Sequence, residues 1–279
     1  MDLKPTAATV AINGLKMIHG AKSGHPGGVL SCLNLIVYLF FREMNYNLET
    51  ITTSECDRFI LSKGHSAPAL YAVAAEVGII DKSLLKGFRK INEELQGHPH
   101  RVSTPWVQAS TGSLGQGFSF AIGEALGLKL QSLKYRVYTM LGDGELQEGE
   151  IWEGAMFAGH YKLNNLCAII DYNKMQSDDL NKNIMGLEPL GEKWRAFNWY
   201  VIEIDGHNYD EMEMAFDKAK KNQNQPTVII ANTIKGNGVS FMEGNPAWHG
   251  SVELSDDDLR QSMIELGAND SDIKEYFNE

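Results

Sequence analysis

The chain has 279 residues, 43% hydrophobic and 22% charged, with a formal net charge of −11 and a pI near 5.2. That length gives room for one large α/β domain or two small ones, and the composition excludes a disordered chain. An acidic chain with no Lys/Arg run repels phosphate backbones, so nucleic-acid binding is not expected. The N-terminal MDLKPTAATV has no charged region followed by an apolar stretch, which speaks against a signal peptide. The longest apolar run, Leu35 to Phe41, is far short of the roughly 20 residues that span a bilayer. Three cysteines, Cys32, Cys56 and Cys167, with no CxxC, read as buried free thiols, and the cytoplasm is the expected compartment.

In chain order, residues 6–20 carry apolar positions at helical spacing, and GAKSGHPGG at 20–28 breaks them. Residues 29–43 read as a second, strongly apolar helix, whose stretch 29–41 is expected, with the helix at 114–131, to form part of a large hydrophobic surface. A strand is expected at 58–62 and a helix at 67–77. Further strands are expected at 136–141, 166–171, 200–204 and 227–232, each rich in β-formers. Helical patterns lie between them at 114–131, 147–162, 189–197 and 208–222, and residues 254–279 read as one or two terminal helices. No repeat or linker divides the chain, so a single domain over 1–279 is expected. The alternation predicts an α/β fold: a doubly wound, mostly parallel sheet with helices on both faces. In such sheets ligands sit at the carboxyl ends of the strands.

No P-loop and no clean G-x-G-x-x-G after a strand is present, which weakens a nucleotide or dinucleotide reading. The strand at 136–141 leads instead into Gly142-Asp143-Gly144, opening a helix expected to start near Gln147. The glycines let backbone approach a ligand, and a helix N-terminus offers N–H donors to an anion. Asp143 puts a carboxylate at that anion site, which is repulsive unless a cation bridges. The next strand ends in Asp171-Tyr172-Asn173-Lys174-Met175. An Asp, an Asn and a main-chain carbonyl form a hard-oxygen set suited to Mg²⁺ or Ca²⁺.

GDG with Asn about 30 residues later resembles the thiamine diphosphate signature. The surrounding blocks resemble transketolase: SGHPGG at 23–28, DRFILSKGHSAPALYA at 57–72, GHP at 97–99, TGSLGQGFSFAIG at 111–123, GDGELQEG at 142–149, DYNKMQSD at 171–178, IKGNGVSF at 234–241 and WHG at 248–250. The resemblance covers the diphosphate-binding (PP) domain only, without the pyrimidine-binding and C-terminal domains. It implies the N-terminal subunit of a split transketolase. Such an enzyme depends on thiamine diphosphate and Mg²⁺ and moves a two-carbon ketol unit from a ketose to an aldose. The partner implied is a chain carrying the missing domains, in an α2β2 heterotetramer.

Carried over residue by residue, the resemblance makes Asp143, Asn173 and the Met175 carbonyl the metal ligands. It places Lys63, His65, Gly112, Leu114, Asp143, Gly144, Asn173, Lys235 and His249 against the cofactor. His25, His65, His98 and His249 would line the substrate channel, and Glu148 would link to an activating glutamate on the missing chain. Imidazole suits this work because it can donate and accept near neutral pH. His19, His100, His160 and His207 are expected to be structural. The glycines of 114–131 suggest close apposition to another backbone, in this family the subunit interface. Rival readings within the cofactor class are a 1-deoxyxylulose-phosphate synthase-like or dehydrogenase E1-like chain. Outside it stand a non-catalytic partner chain retaining the fold and a nicotinamide-dependent oxidoreductase. The sugars used are not legible.

Overall fold

The computed structural model describes residues 2–53, 55–177 and 179–278. Asp178, which closes the DYNKMQSD block, and Met1 and Glu279, at the ends of the expected domain, lie outside the described residues.

The chain opens with α1 (Lys4–Ala21), α2 (Pro26–Tyr38), β1 (Arg58–Leu61) and α3 (Ala67–Glu76). Next come α4 (Gln116–Leu130), β2 (Val137–Gly142), α5 (Gly149–His160) and β3 (Leu166–Tyr172). A two-stranded hairpin, β4 (Met175–Gln176) and β5 (Asp179–Leu180), leads into α6 (Asn181–Ile184) and α7 (Leu190–Ala196). The chain ends with β6 (Tyr200–Asp205), α8 (Tyr209–Lys221), β7 (Thr227–Asn232), α9 (Asp256–Glu265) and α10 (Asp270–Phe277). The expected helices and strands are all present. The hairpin and α6, too short to carry a periodic pattern, are additions. The helix expected from Gln147 starts at Gly149, after a 3₁₀ turn over Gly144–Gln147.

The main sheet has strand order β1-β2-β3-β7-β6, and every pairing is parallel. Side chains alternate between its faces. Tyr138, Met140, Cys167 and Ile169 enter one core with α1, α2, α3, α8 and α9. Val137, Leu141, Leu166, Ala168 and Ile170 enter a second core with α4, α5 and α7. Covering both faces explains why β2 and β3 read as unbroken apolar runs. The edge strand β6 instead alternates, with Ile202 and Ile204 buried and Tyr200 and Glu203 exposed. Cys32, Cys56 and Cys167 are buried free thiols, as expected.

One expectation is overturned. The apolar stretch 29–41 is not surface. Within α2 every residue but Asn34 is buried, because α1, α3, α8 and the sheet surround it. At about 1.5–3 kcal/mol for each buried Leu, Ile or Val, this helix is a main support of the core.

The register brings the strand ends level. Gly142 lies beside Asp171, Asp171 beside Ala231 and Tyr172 beside Asn232. The loops leaving β1, β2, β3 and β7 therefore start from one edge of the sheet.

Candidate active site

A cleft of about 320 Å³ lies over that edge, and its walls come from the loops after β1, β2, β3 and β7, from the connection between α1 and α2, and from the loop that precedes α4. Among its lining residues are His25, Lys63, His65, Gly112, Leu114, Asp143, Gly144, Glu148, Asn173, Met175, Lys235 and His249. Of the residues singled out in the sequence, only His98 stands outside this lining, and it packs on Gly112 at the rim.

Asp143 is only 2% exposed. Its carboxylate accepts hydrogen bonds from the Gly144 N–H at 2.8 Å and from the Lys174 N–H. Burial, reinforced by the neighbouring Asp171 charge and opposed by Lys235, pushes its carboxyl up to about 7. A buried carboxylate in that position is stabilised by a cation. Asn173 Oδ1 accepts the Met175 N–H at 3.1 Å, and the Met175 carbonyl accepts from Lys235 Nζ at 3.1 Å. That carbonyl thus already faces a positive charge. Among the described residues no group of three His, Cys, Asp or Glu side chains could hold a metal by itself. One carboxylate, one amide oxygen and one carbonyl fit a hard divalent cation whose remaining ligands come from an anionic molecule.

Beneath the cleft is a network that the sequence did not reveal. Lys63 is buried, pairs with Asp171, and donates to the Gly28 carbonyl at 3.2 Å. Asp171 also accepts from Thr233 and from Ser31, the latter at 2.5 Å, and lies 3.3 Å from Asn173 Nδ2. Burial alone would lower the Lys63 ammonium, but Asp171 outweighs it and holds the group above the usual lysine range. Among the described residues Lys235 forms no ion pair, and burial and then the Lys63 charge, opposed by Asp143 and Asp171, lower it to about 8.

Glu145 is the second residue the sequence did not single out. It lies two positions past Asp143 and looks like an ordinary first-turn acid, yet it is 2% exposed. It accepts from Ser62 and from the N–H groups of Gly115 and Gly142, both at 2.9 Å, so it ties the 111–115 loop to the end of β2. Burial raises its carboxyl above the usual range, with those bonds opposing. The 111–115 loop also depends on glycine. Gly112 has φ of 136° and Gly115 of 88°, which L side chains rarely adopt. Glu148, by contrast, is an exposed member of the cleft lining.

Three of the histidines form a triangle. Ring centroids lie 5.2 Å apart for His25–His65, 5.9 Å for His65–His249 and 6.4 Å for His25–His249. Lys235 donates to His249 Nδ1. An ammonium can only donate, so that imidazole is neutral with its proton on Nε2. Burial, then Lys235, lowers His249 to about 3, while burial, then Arg89, lowers His25 to about 4. His25 Nδ1 is buried without a hydrogen-bond partner among the described residues. His98 is exposed, and its carbonyl accepts from Tyr71 Oη at 3.1 Å. The other histidines stand outside the cleft lining: His207 Nε2 accepts the Ile234 N–H at 2.9 Å, His19 bonds Tyr276 and Asp256, His100 bonds Ser103, and His160 packs on Tyr161.

The sequence family described as "Transketolase, thiamine diphosphate binding domain" matches residues 4–277. The 6-deoxy-6-sulfo-D-fructose transketolase subunit SqwG of Clostridium sp. (strain MSTE9) is 43% identical over 266 residues, covering 95% of this chain and 96% of that protein. An apulose-4-phosphate transketolase subunit of Phocaeicola vulgatus is 36% identical, covering 87% of this chain and 86% of that protein. Transketolase of Rattus norvegicus is 43% identical over 249 residues, which is 89% of this chain but 39% of the longer protein. The transketolase structure from Leishmania mexicana superposes with a TM-score of 0.92 at 28% identity, covering 100% of this chain and 44% of that one. The chain therefore belongs to the transketolase family, as its N-terminal, thiamine diphosphate-binding part.

Proposed function

We propose that this chain is the N-terminal subunit of a split transketolase, transferring a two-carbon ketol unit from a ketose to an aldose. The observation that carries the reading is the convergence, at the ends of four parallel strands, of Asp143, Asn173 and the Met175 carbonyl with two lysines and a triangle of neutral histidines. Asp143, Asn173 and Met175 would hold Mg²⁺ (or Ca²⁺) against the diphosphate, with Lys235 offsetting its charge and Lys63, expected from the sequence to share that role, already balanced by Asp171 beneath the cleft. Gly112 and Leu114 would bind the cofactor through their main chain. When bound, thiamine diphosphate supplies the electron sink that lets the ketose C2–C3 bond break.

The chain's own contribution is to bind, orient and move protons. His25, His65 and His249 stay neutral at pH 7, so His25 and His65 can each donate to a sugar oxygen or accept from a hydroxyl, while His249, its Nδ1 engaged by Lys235, offers its Nε2–H as a donor. His98 would add a fourth imidazole at the mouth. Glu148, exposed in the cleft lining, would meet the activating carboxylate that a partner chain brings. The two split relatives are named for 6-deoxy-6-sulfo-D-fructose and for apulose 4-phosphate. A ketose with an anionic tail is therefore the substrate class, with the tail gripped mainly by the partner, and the cytoplasm is the compartment.

The partner is a chain carrying the pyrimidine-binding and C-terminal domains, in an α2β2 assembly. Support comes from a stripe on α4. Phe120, Gly123, Gly127 and Leu130 recur at helical spacing, Leu130 is 77% exposed, and a Cβ on either glycine would meet no atom within 4 Å. On the neighbouring α5, Met156 and Phe157 are also exposed.

Thermal unfolding tests the reading. Thiamine diphosphate with Mg²⁺ should raise the midpoint, thiamine diphosphate with EDTA should raise it much less, and NAD should leave it unchanged. Protection by NAD and none by thiamine diphosphate would overturn the proposal.

A further inference from the structure

We propose that Arg89 is a positioning residue that clasps the three loops bearing His25, His98 and His249 and so fixes their spacing over the cleft. The inference rests on the transketolase reading for its kinetic consequence but on the geometry alone for the clasp. Arg89 sits in the turn that precedes the His98 loop, with φ of 57°. Its Nη1 donates to Ser23 Oγ at 2.6 Å and to Ser251 Oγ at 3.2 Å, and the two hydroxyls bond each other at 2.7 Å. Ser23 lies two residues before His25, and Ser251 two after His249. Beside this contact the same two loops are stitched by an isolated antiparallel bridge, in which Gly24 N–H donates to Val252 O at 3.2 Å and Val252 N–H to Gly24 O at 2.9 Å.

The third loop is held from the backbone. The Arg89 N–H donates to the Leu95 carbonyl at 2.9 Å, closing the turn that leads to His98. Gly97, next to His98, lies against the guanidinium so closely that a Cβ there would sit 2.8 Å from Arg89 Nε. Among the described residues no carboxylate pairs with Arg89, and its Nε is buried without a hydrogen-bond partner. A half-buried cation with an orphaned donor is costly, and an arginine free to turn to water would do so. The contacts across three loops are what retain it. The same charge, after burial, contributes to keeping His25 and His98 below the usual histidine range, in the neutral form that sugar binding needs.

The test uses Arg89→Ala, Ser23→Ala/Ser251→Ala and the triple variant, each reconstituted with the partner chain. Loosened histidines should lower kcat/KM by about 10- to 100-fold, with donor-ketose KM raised, on the scale of a misplaced catalytic group. Thiamine diphosphate affinity should fall by much less than kcat/KM, because the metal ligands and Lys235 are untouched, and the unfolding midpoint should not change. Because the arginine acts through the serines, the triple variant should lose no more than Arg89→Ala. Hydrogen exchange on the chain alone should quicken at Gly24 and Val252, a readout that survives if the transketolase reading fails. Gly97→Ala, which displaces the guanidinium without removing it, should give the same pattern and serves if Arg89→Ala does not fold. Additive losses in the triple variant, unchanged kcat/KM, or unchanged exchange at Gly24 and Val252 would each overturn the clasp.

Discussion

Asp143 meets two opposed demands: it is buried among backbone N–H groups that favour its charge, yet near Asp171, which disfavours it. A cation resolves the conflict, so Asp143→Ala should abolish Mg²⁺-dependent cofactor binding while the chain still folds. Calorimetric titration of both proteins decides this, and equal affinities would remove Asp143 from the metal site. His98 stands apart from the cofactor lysines, on the rim against Gly112. His98→Ala should therefore lower kcat/KM by about 10²-fold with cofactor affinity unchanged. Parallel loss of both would mean that the imidazole touches the cofactor.

The buried histidines also set a pH dependence. His25 and His249 have folded values of about 4 and about 3, against 6.5 for the free side chain. Between pH 6.5 and about 4 the unfolded chain binds protons that the folded chain refuses. Stability therefore falls as pH drops through that window. The unfolding midpoint of the chain alone, followed from pH 7 to 4, should fall less for His25→Gln/His249→Gln than for wild type. Parallel curves would show that these histidines do not carry the effect. GDG and Asn173 were legible because a carboxylate at an anion-binding turn requires a cation. Glu145, Asp171 and Arg89 were not, because their importance lies in partners 30 or more residues away, such as Gly115 for Glu145 and Lys63 for Asp171.

Among the elements, α4 uses glycine in two ways. At Gly117 a Cβ would lie 2.7 Å from Ser62 Cα, so the helix sits directly on the end of β1. At Gly123 the surroundings are open. Gly123→Ala should thus stabilise the isolated chain by about 0.5–1 kcal/mol, through helix propensity alone. Gly123→Leu should leave the isolated chain folded but block assembly with the partner, read by light scattering of the mixture. Assembly unimpaired by leucine would remove this face from the interface. Periodicity marked α4 and α2 equally as apolar helices. It could not tell that the first keeps a bare stripe while the second is enclosed, because an apolar run says nothing about which neighbours cover it.

For the whole molecule, the parallel sheet was legible from alternating strands and helices, and strand-end register then dictates that the cleft forms where the loops after β1, β2, β3 and β7 meet. Its lining carries the exposed Glu148 beside the buried Asp143 and Glu145. The chain matches about 40% of the longer transketolases, and nearly all of a protein that is itself named as one subunit. These proportions point to an active site completed by a second chain. The most direct test is ketol transfer assayed with thiamine diphosphate and Mg²⁺ for this chain alone, for the partner alone and for the two mixed. Turnover is predicted only in the mixture, and turnover by this chain alone would contradict a site shared between two chains.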